Sequence, residues 1–132
     1  MLMKKYPYAL CVLFLLALAI VSCGKKSDPK TKTELISRKW KFSKAEITPT
    51  STKDYSAYTL SFDAANFTRT DGSASASGTW KFAANETEIE FSTGSPAKVK
   101  VITLNDGALT ISYSQINSKQ VTENITLFLV PA

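Results

Sequence analysis

The chain has 132 residues, enough for one domain, which excludes a multidomain architecture. Its net charge of +5 does not indicate a nucleic-acid-binding protein, because residues 33–132 carry ten basic and ten acidic side chains and the positive excess precedes them. The sequence contains no histidine, the commonest general base and metal ligand, so we predict that the protein is not an enzyme and holds no cofactor or metal ion.

The first 22 residues have the three parts of a secretory signal peptide. Lys4 and Lys5 give the positive start, and the uncharged stretch 7–21 follows them. This stretch is shorter than the roughly 20 apolar residues that a membrane-spanning helix needs. We therefore predict that residues 1–22 form a cleaved signal peptide rather than an uncleaved membrane helix.

The uncharged stretch ends in Ile20-Val21-Ser22-Cys23-Gly24. This segment resembles the lipobox of bacterial lipoproteins, in which a small residue precedes the cysteine that begins the mature protein. The resemblance implies that the Cys23 thiol carries diacylglycerol, with further acyl chains such as palmitate, and that the protein is anchored in the outer membrane. Which face of that membrane it occupies is left open. Each buried methylene contributes about 0.8 kcal/mol, so two or more acyl chains would make a stable anchor.

Residues 23–32 are predicted to form a lipidated, flexible tether, because no apolar side chain occurs between residues 24 and 32. Its lysines would either lean on anionic head groups or be solvated. The short segment 33–36 carries the only helix signal, and we expect one turn there that plugs an end of the fold.

From residue 38 onward, apolar and polar residues alternate with period two, as in segment 39–42. This alternation predicts antiparallel strands that pack on one face and meet water on the other. Asp106-Gly107, between two alternating runs, predicts a type I′ hairpin. We predict eight strands near residues 38–47, 56–63, 66–71, 77–83, 87–92, 97–104, 107–114 and 119–130. The fold class is therefore all-β, a small antiparallel up-and-down barrel over residues 33–132.

Three segments of this domain are similar to a known family: Leu35-Ile36-Ser37-Arg38-Lys39-Trp40-Lys41-Phe42, Gly78-Thr79-Trp80-Lys81-Phe82 and Leu104-Asn105-Asp106-Gly107-Ala108-Leu109-Thr110-Ile111. They resemble the lipocalin-like domains of lipoproteins from Bacteroidota, and the resemblance covers roughly residues 33–130. It implies an envelope-anchored barrel with a cavity. One departure is Arg38, which stands where the family usually has a glycine.

Aromatic side chains on the buried parity are the candidate lining of that cavity. They would line a pocket for a small apolar ligand or simply fill an eight-stranded barrel, which encloses little more than side-chain volume. The set is Trp40, Phe42, Tyr58, Phe62, Trp80, Phe82 and Phe91.

Three charged residues, Lys44, Arg69 and Glu123, continue the parity of apolar neighbours. An unpaired buried charge is costly, so such residues pair, lie at a rim or meet a ligand. Arg69 and Glu123 could form an ion pair inside the barrel or bind a polar head group, and we include both in the candidate lining.

Two functions follow from these predictions. The first is a lipid-anchored lipoprotein whose barrel binds a small apolar ligand. The alternative is an interaction protein with a filled barrel that docks an envelope protein through its outer surface. Phe128 and Val130 face outward on the last strand, where they would pack under the 33–37 turn or under such a partner.

Overall fold

The computed structural model describes residues 28–132. The predicted signal peptide and Cys23 lie outside the described residues. One helix and eight strands follow in chain order: α1 (Lys32–Ile36), β1 (Lys39–Thr48), β2 (Thr59–Phe62), β3 (Asn66–Asp71), β4 (Ala74–Ala83), β5 (Glu88–Phe91), β6 (Lys98–Leu104), β7 (Leu109–Ile116) and β8 (Thr122–Pro131).

The strands form a closed barrel in which each strand pairs antiparallel with its neighbours in the chain and β8 pairs with β1. The predicted all-β, up-and-down barrel of eight strands is confirmed. Strand boundaries differ by a few residues from those predicted. At β2, a turn delays the start of the strand because Tyr58 N donates to Tyr55 O at 2.8 Å.

Helix α1 closes one end of the barrel, which we call the closed end. A capping box starts the helix: Glu34 N donates to Thr31 Oγ1 at 3.2 Å, and Thr31 N donates to Glu34 Oε2 at 2.7 Å. The side chain of Ile36 is fully buried in the core. The predicted plug is therefore present, and it places an apolar side chain where the barrel interior would otherwise meet water.

Polar contacts attach the start of the chain to the same end. Lys30 Nζ contacts Asp106 Oδ1 at 2.6 Å, and Arg38 Nη1 donates to the carbonyl of Asp106 at 3.0 Å. Lys32 Nζ donates to Glu86 O at 3.2 Å. The chain therefore enters the barrel beside the β6–β7 and β4–β5 connections, at the closed end.

The inward residues of the strands fill the barrel, as period-two alternation requires. Their interior positions alternate with exposed polar residues, for example in the sequence of β3. The largest fully buried side chains are Trp40, Phe67, Ile36, Leu60, Ile89, Leu109, Ile111, Ile125, Leu127 and Leu129. Three polar residues are buried with them: Arg69, Thr110 and Glu123.

A β-bulge in β1 changes which side chains face inward. The register against β8 shifts between Phe42 and Lys44, so Ala45 and Ile47 point to the core and Lys44 points to solvent. Its Nζ contacts Glu46 Oε1 at 2.8 Å. The prediction that Lys44 continues the apolar face is therefore wrong, because one extra residue reverses the parity of everything after it.

On the neighbouring strand, Phe128 is half-buried, and Lys44 Nζ lies 5.3 Å from its ring centroid. Docking of an envelope protein through this face stays a prediction.

The connection between β6 and β7 also differs from the expected turn. Neither Asp106 nor Gly107 has a positive φ, as a type I′ hairpin would require. Asn105 N donates to Ala108 O at 3.0 Å, and Asn105 Oδ1 accepts from Gly107 N at 2.9 Å. The prediction of a type I′ turn is wrong because the asparagine side chain closes a four-residue loop instead.

Candidate functional site

Most of the predicted lining residues pack against one another and fill the barrel. The ring centroids of Phe62 and Trp80 are 5.1 Å apart, and those of Trp80 and Phe82 are also 5.1 Å apart, both in edge-to-face geometry. Phe91 lies 4.6 Å from Phe67 and 6.2 Å from Phe62. Such pairs stabilise the core and leave little volume between the rings for a ligand.

Trp40, the other tryptophan, is fully buried at the closed end. Its Nε1 donates to the carbonyl of Ile36 at 3.0 Å. This side chain therefore has a structural partner and lies on the side of the core that α1 covers.

A cavity of about 180 Å³ opens at the opposite end of the barrel, which we call the open end. It lies between the β3–β4 hairpin, the loop 92–97 and the end of β7, and we call it the mouth pocket. Of the predicted lining residues, Tyr58 and Arg69 line it. Its polar wall also includes Lys53, Asp71, Ser75, Ser95 and Gln115.

Arg69 is the most deeply buried charged group of the mouth pocket. It lies on β3 with an exposed fraction of 6%, opposite Ala76 in the β3–β4 register. Its Nη1 donates to the carbonyl of Pro96 at 3.2 Å, and its Cζ lies 5.1 Å from the Phe91 ring centroid. Among residues 28–132, no carboxylate oxygen lies within 4.0 Å of its guanidinium nitrogens. The guanidinium therefore sits over aromatic rings without a counter-ion from the described chain.

Gly94 makes room for this guanidinium. A Cβ at Gly94 would collide with Arg69 Nη2, and the φ of Gly94 is +82°, which non-glycine residues rarely adopt. The loop 92–97 therefore depends on glycine for its backbone shape and for its close approach to Arg69.

The second cation of the pocket is neutralised. Lys53 Nζ contacts Asp71 Oδ2 at 2.9 Å and lies 4.7 Å from the ring centroid of Tyr55. Burial acts to lower the pKa of Lys53, but the hydrogen bond and charge of Asp71 outweigh it, so this pKa is raised. The ammonium and carboxylate form a neutral pair beside Arg69.

Two tyrosines form the deeper wall of the pocket. Burial raises the pKa of Tyr58 to about 12, while the positive charge of nearby Arg69 acts in the opposite direction. Burial also raises the pKa of Tyr113, and the hydroxyl of Tyr113 lies 3.5 Å from that of Tyr55. Both phenols thus stay neutral at physiological pH, and both residues line the cavity.

The model of the family described as "Lipocalin-like domain" matches residues 36–111 of this sequence. The chain belongs to the lipocalin-like domain family. The match runs from the last residue of α1 into β7 and includes Arg69 and Gly94. No curated protein matches the chain.

Glu123 lies at the open end of the lipocalin-like domain but has other partners than Arg69. Its exposed fraction is 5%, and its carboxylate accepts from Asn117 Nδ2 at 2.9 Å and from Gln115 Nε2 at 3.3 Å. The hydrogen bond from Asn117 is the main reason that the pKa of Glu123 is lowered. The ion pair considered for Arg69 and Glu123 is not formed, and Glu123 does not line the mouth pocket.

Phe42 lines a different depression in the lipocalin-like domain. Only residues 39–41 of β1 pair with β2, so the rest of β1 has a partner strand on one side only. A groove of about 380 Å³ lies there between Phe42, Ala45, Ile47 and the segment 50–55. Phe42 therefore does not line the mouth pocket, and Lys53 lies between the two sites, since it lines both.

Several residues of the mouth pocket escaped the sequence analysis. Tyr113 carried a usable signal, since it continues the inward parity of Leu109 and Ile111. No sequence signal indicated Lys53, Asp71 or the loop residues, because their positions depend on how the connections fold over the open end.

Two further findings concern the part of the chain that the structure describes. Within residues 28–132, no helix combines the length and the apolarity that a bilayer crossing requires. Within the same residues, no group of three or more histidine, cysteine, aspartate or glutamate side chains is placed to hold a metal ion.

Proposed function

We propose that this protein is a lipid-anchored lipoprotein of the cell envelope whose lipocalin-like domain binds a small ligand in the mouth pocket. The observation that carries the proposal is the pocket itself. It lies at the open end, it is walled by tyrosines and by charged side chains, and one of these, Arg69, is nearly fully buried. Concave sites with a few convergent polar groups are the usual form of ligand pockets.

The filled interior favours a ligand at the mouth over one inside the barrel. With the rings of Phe62, Trp80 and Phe91 in mutual contact, a deep apolar ligand would have to displace core side chains. The polar wall of the mouth pocket instead favours a ligand with at least one polar group. We therefore propose a partly polar ligand rather than the wholly apolar one expected from the sequence.

The lipid anchor is proposed from the lipobox, with Cys23 as the acylated residue. Mass spectrometry of full-length protein purified from its own membranes should show a chain that begins at Cys23 and carries acyl groups. Cys23→Ala should leave the protein unacylated, whereas Cys11→Ala, at the only other cysteine, should not change the mature mass. An intact Met1 or an unmodified Cys23 in the wild type would overturn the anchor.

Ligand binding is tested by native mass spectrometry of the same preparation, before and after addition of a small-molecule extract of the cells. We expect an adduct that Ala76→Phe abolishes, because Ala76 lines the mouth pocket and a phenyl ring would fill it. Ser77→Phe is the matched control, since Ser77 is the exposed next residue of β4 and should keep the adduct. Circular dichroism confirms that both variants are folded. No adduct in the wild type, or an equal adduct in both variants, would contradict binding at the mouth pocket.

A further inference from the structure

We infer that the ligand of the mouth pocket carries a single carboxylate and that the guanidinium of Arg69 binds this group. The inference rests on the proposed function and names the chemical class of its ligand.

The guanidinium of Arg69 has an incomplete set of partners. It has five N–H donors, and in the described chain Nη1 donates to the carbonyl of Pro96 and a further hydrogen bond joins the guanidinium to the Tyr58 hydroxyl. No fully buried side-chain nitrogen or oxygen lacks a partner in the described part of the chain, so any guanidinium nitrogen of Arg69 without a partner is accessible to solvent. Arg69 lines the mouth pocket, and its remaining donors are therefore available to a ligand there.

Arg69 also lacks a counter-charge from the described chain. Removing a cation from water without a counter-ion costs several kcal/mol, and Arg69 is 6% exposed. Its ring contacts with Phe67 and Phe91 offset only part of that cost. An anion from outside the chain supplies the missing counter-charge, and the planar fork of arginine matches a carboxylate through two parallel hydrogen bonds.

The net charge of the pocket lining favours a monoanion. Because Lys53 and Asp71 neutralise each other, the charged lining of the pocket has one positive charge in excess, that of Arg69. A dianion such as a phosphate monoester would keep an uncompensated charge close to the Asp71 carboxylate. A ligand with one carboxylate neutralises the excess positive charge of the lining.

The volume of the mouth pocket limits the size of its ligand. Pockets that enclose drug-sized ligands measure about 300–1,000 Å³. The mouth pocket, at about 180 Å³, holds a smaller molecule. The rings of Tyr58 and Tyr113 and the side chains of Ala76 and Pro96 are the surfaces available to its apolar part.

The test compares two carboxylates, benzoate and hexanoate, with their neutral amides, benzamide and hexanamide. Binding to the full-length protein in a non-ionic detergent is measured by isothermal titration calorimetry. We expect each carboxylate to bind at least about tenfold more tightly than its amide, and Arg69→Gln to abolish this preference. Arg38→Gln is the matched control, because Arg38 is the only other arginine and lies at the closed end, where it contacts Asp106.

Equal binding of acids and amides, or a preference that survives Arg69→Gln in a folded protein, would overturn the carboxylate inference and leave the proposed ligand function in place. No binding of any of the four probes would also overturn it. The proposed function fails separately, when native mass spectrometry finds no adduct that depends on Ala76.

Discussion

The indole nitrogen of Trp40 donates a hydrogen bond to the carbonyl of Ile36 at 3.0 Å, and both side chains are fully buried. This single contact joins the last turn of α1 to the start of β1. The Ile36 carbonyl has no partner within the helix, and it accepts this hydrogen bond as well as one from Arg38 N at 2.7 Å. The plug at the closed end is thus attached to the barrel wall by a tryptophan as well as by apolar packing.

Replacing this tryptophan should weaken the fold. Trp40→Phe removes this buried donor, although Arg38 N still donates to the Ile36 carbonyl, and it leaves a void in the core, so we expect a loss of about 2 kcal/mol in the free energy of unfolding. Urea unfolding of the full-length protein in non-ionic detergent, followed by circular dichroism, measures the change.

Trp80→Phe is the matched control for that measurement. Trp80 Nε1 donates to Asp63 O at 2.9 Å, but Asp63 is exposed, so water can replace the lost donor. We expect Trp80→Phe to cost about 1 kcal/mol less than Trp40→Phe. Equal losses would show that the buried hydrogen bond of Trp40 contributes no more stability than the partly exposed one of Trp80.

Substituting two glycines with positive φ allows the cost of backbone strain to be measured separately from the cost of a side-chain collision. Gly72 has φ +63° with no atom within 4 Å of an added Cβ, whereas Gly94 has φ +82° and its Cβ would collide with Arg69. Gly72→Ala should cost about 1 kcal/mol from strain alone. Gly94→Ala should cost about 2–3 kcal/mol and should also weaken benzoate binding, because the guanidinium must move. Calorimetry and urea unfolding on both variants provide the comparison, and unchanged benzoate binding in Gly94→Ala would contradict it.

Acid should destabilise the protein through Asp63. The pKa of this carboxyl is lowered below 3.8 because its Oδ1 accepts from the backbone N–H groups of Ala65 at 2.9 Å and Asn66 at 2.7 Å. The unfolded chain binds the proton more readily than the folded protein does. The stability that the Asp63 carboxylate contributes is therefore complete above its unfolded pKa and is lost as the pH falls through its folded pKa. Asp63→Asn should therefore lower the urea midpoint at pH 7, with a smaller difference from the wild type at about pH 3. A difference that stays constant with pH would contradict this account.

High pH should destabilise the protein by deprotonating the buried tyrosines of the mouth pocket. Burial raises the pKa of Tyr58 from 10.0 to about 12, so its neutral form is favoured in the folded protein. The stability from this group is complete below the unfolded pKa of 10.0 and is lost as the pH rises through about 12. Ultraviolet titration of phenolate absorbance should show a component near pH 12 that Tyr58→Phe removes, while Tyr113 still titrates above its ordinary pKa. A wild-type titration that ends near pH 10 would contradict the burial of this phenol.

The sequence predicted the barrel because each strand carries a local signal. Alternation in segments such as 109–113 requires no knowledge of the rest of the chain, and eight such segments with short turns leave few topologies. The helix at residues 32–36 was predicted for the same reason, from a short local pattern.

The features that the sequence analysis got wrong depend on a single residue of register or on a tertiary contact. The bulge after Phe42 adds one residue to β1 and reverses the face of Lys44, which no local pattern reveals. Arg69 was identified as an inward charge, but its partner is the carbonyl of Pro96 in a loop 27 residues away rather than Glu123. Such a partner depends on the conformation of a loop, which the alternation of apolar and polar residues does not predict.

The positions of the two barrel ends determine how the protein would be oriented on a membrane. Lys30 contacts Asp106 beside α1 and is seven residues after Cys23, and seven extended residues span at most about 25 Å. Acyl chains on Cys23 would thus hold the α1 side next to the bilayer surface, with Arg69 opening toward the aqueous compartment. Such an orientation suits the capture of dissolved molecules from the surrounding fluid and disfavours the extraction of lipids from the anchoring leaflet.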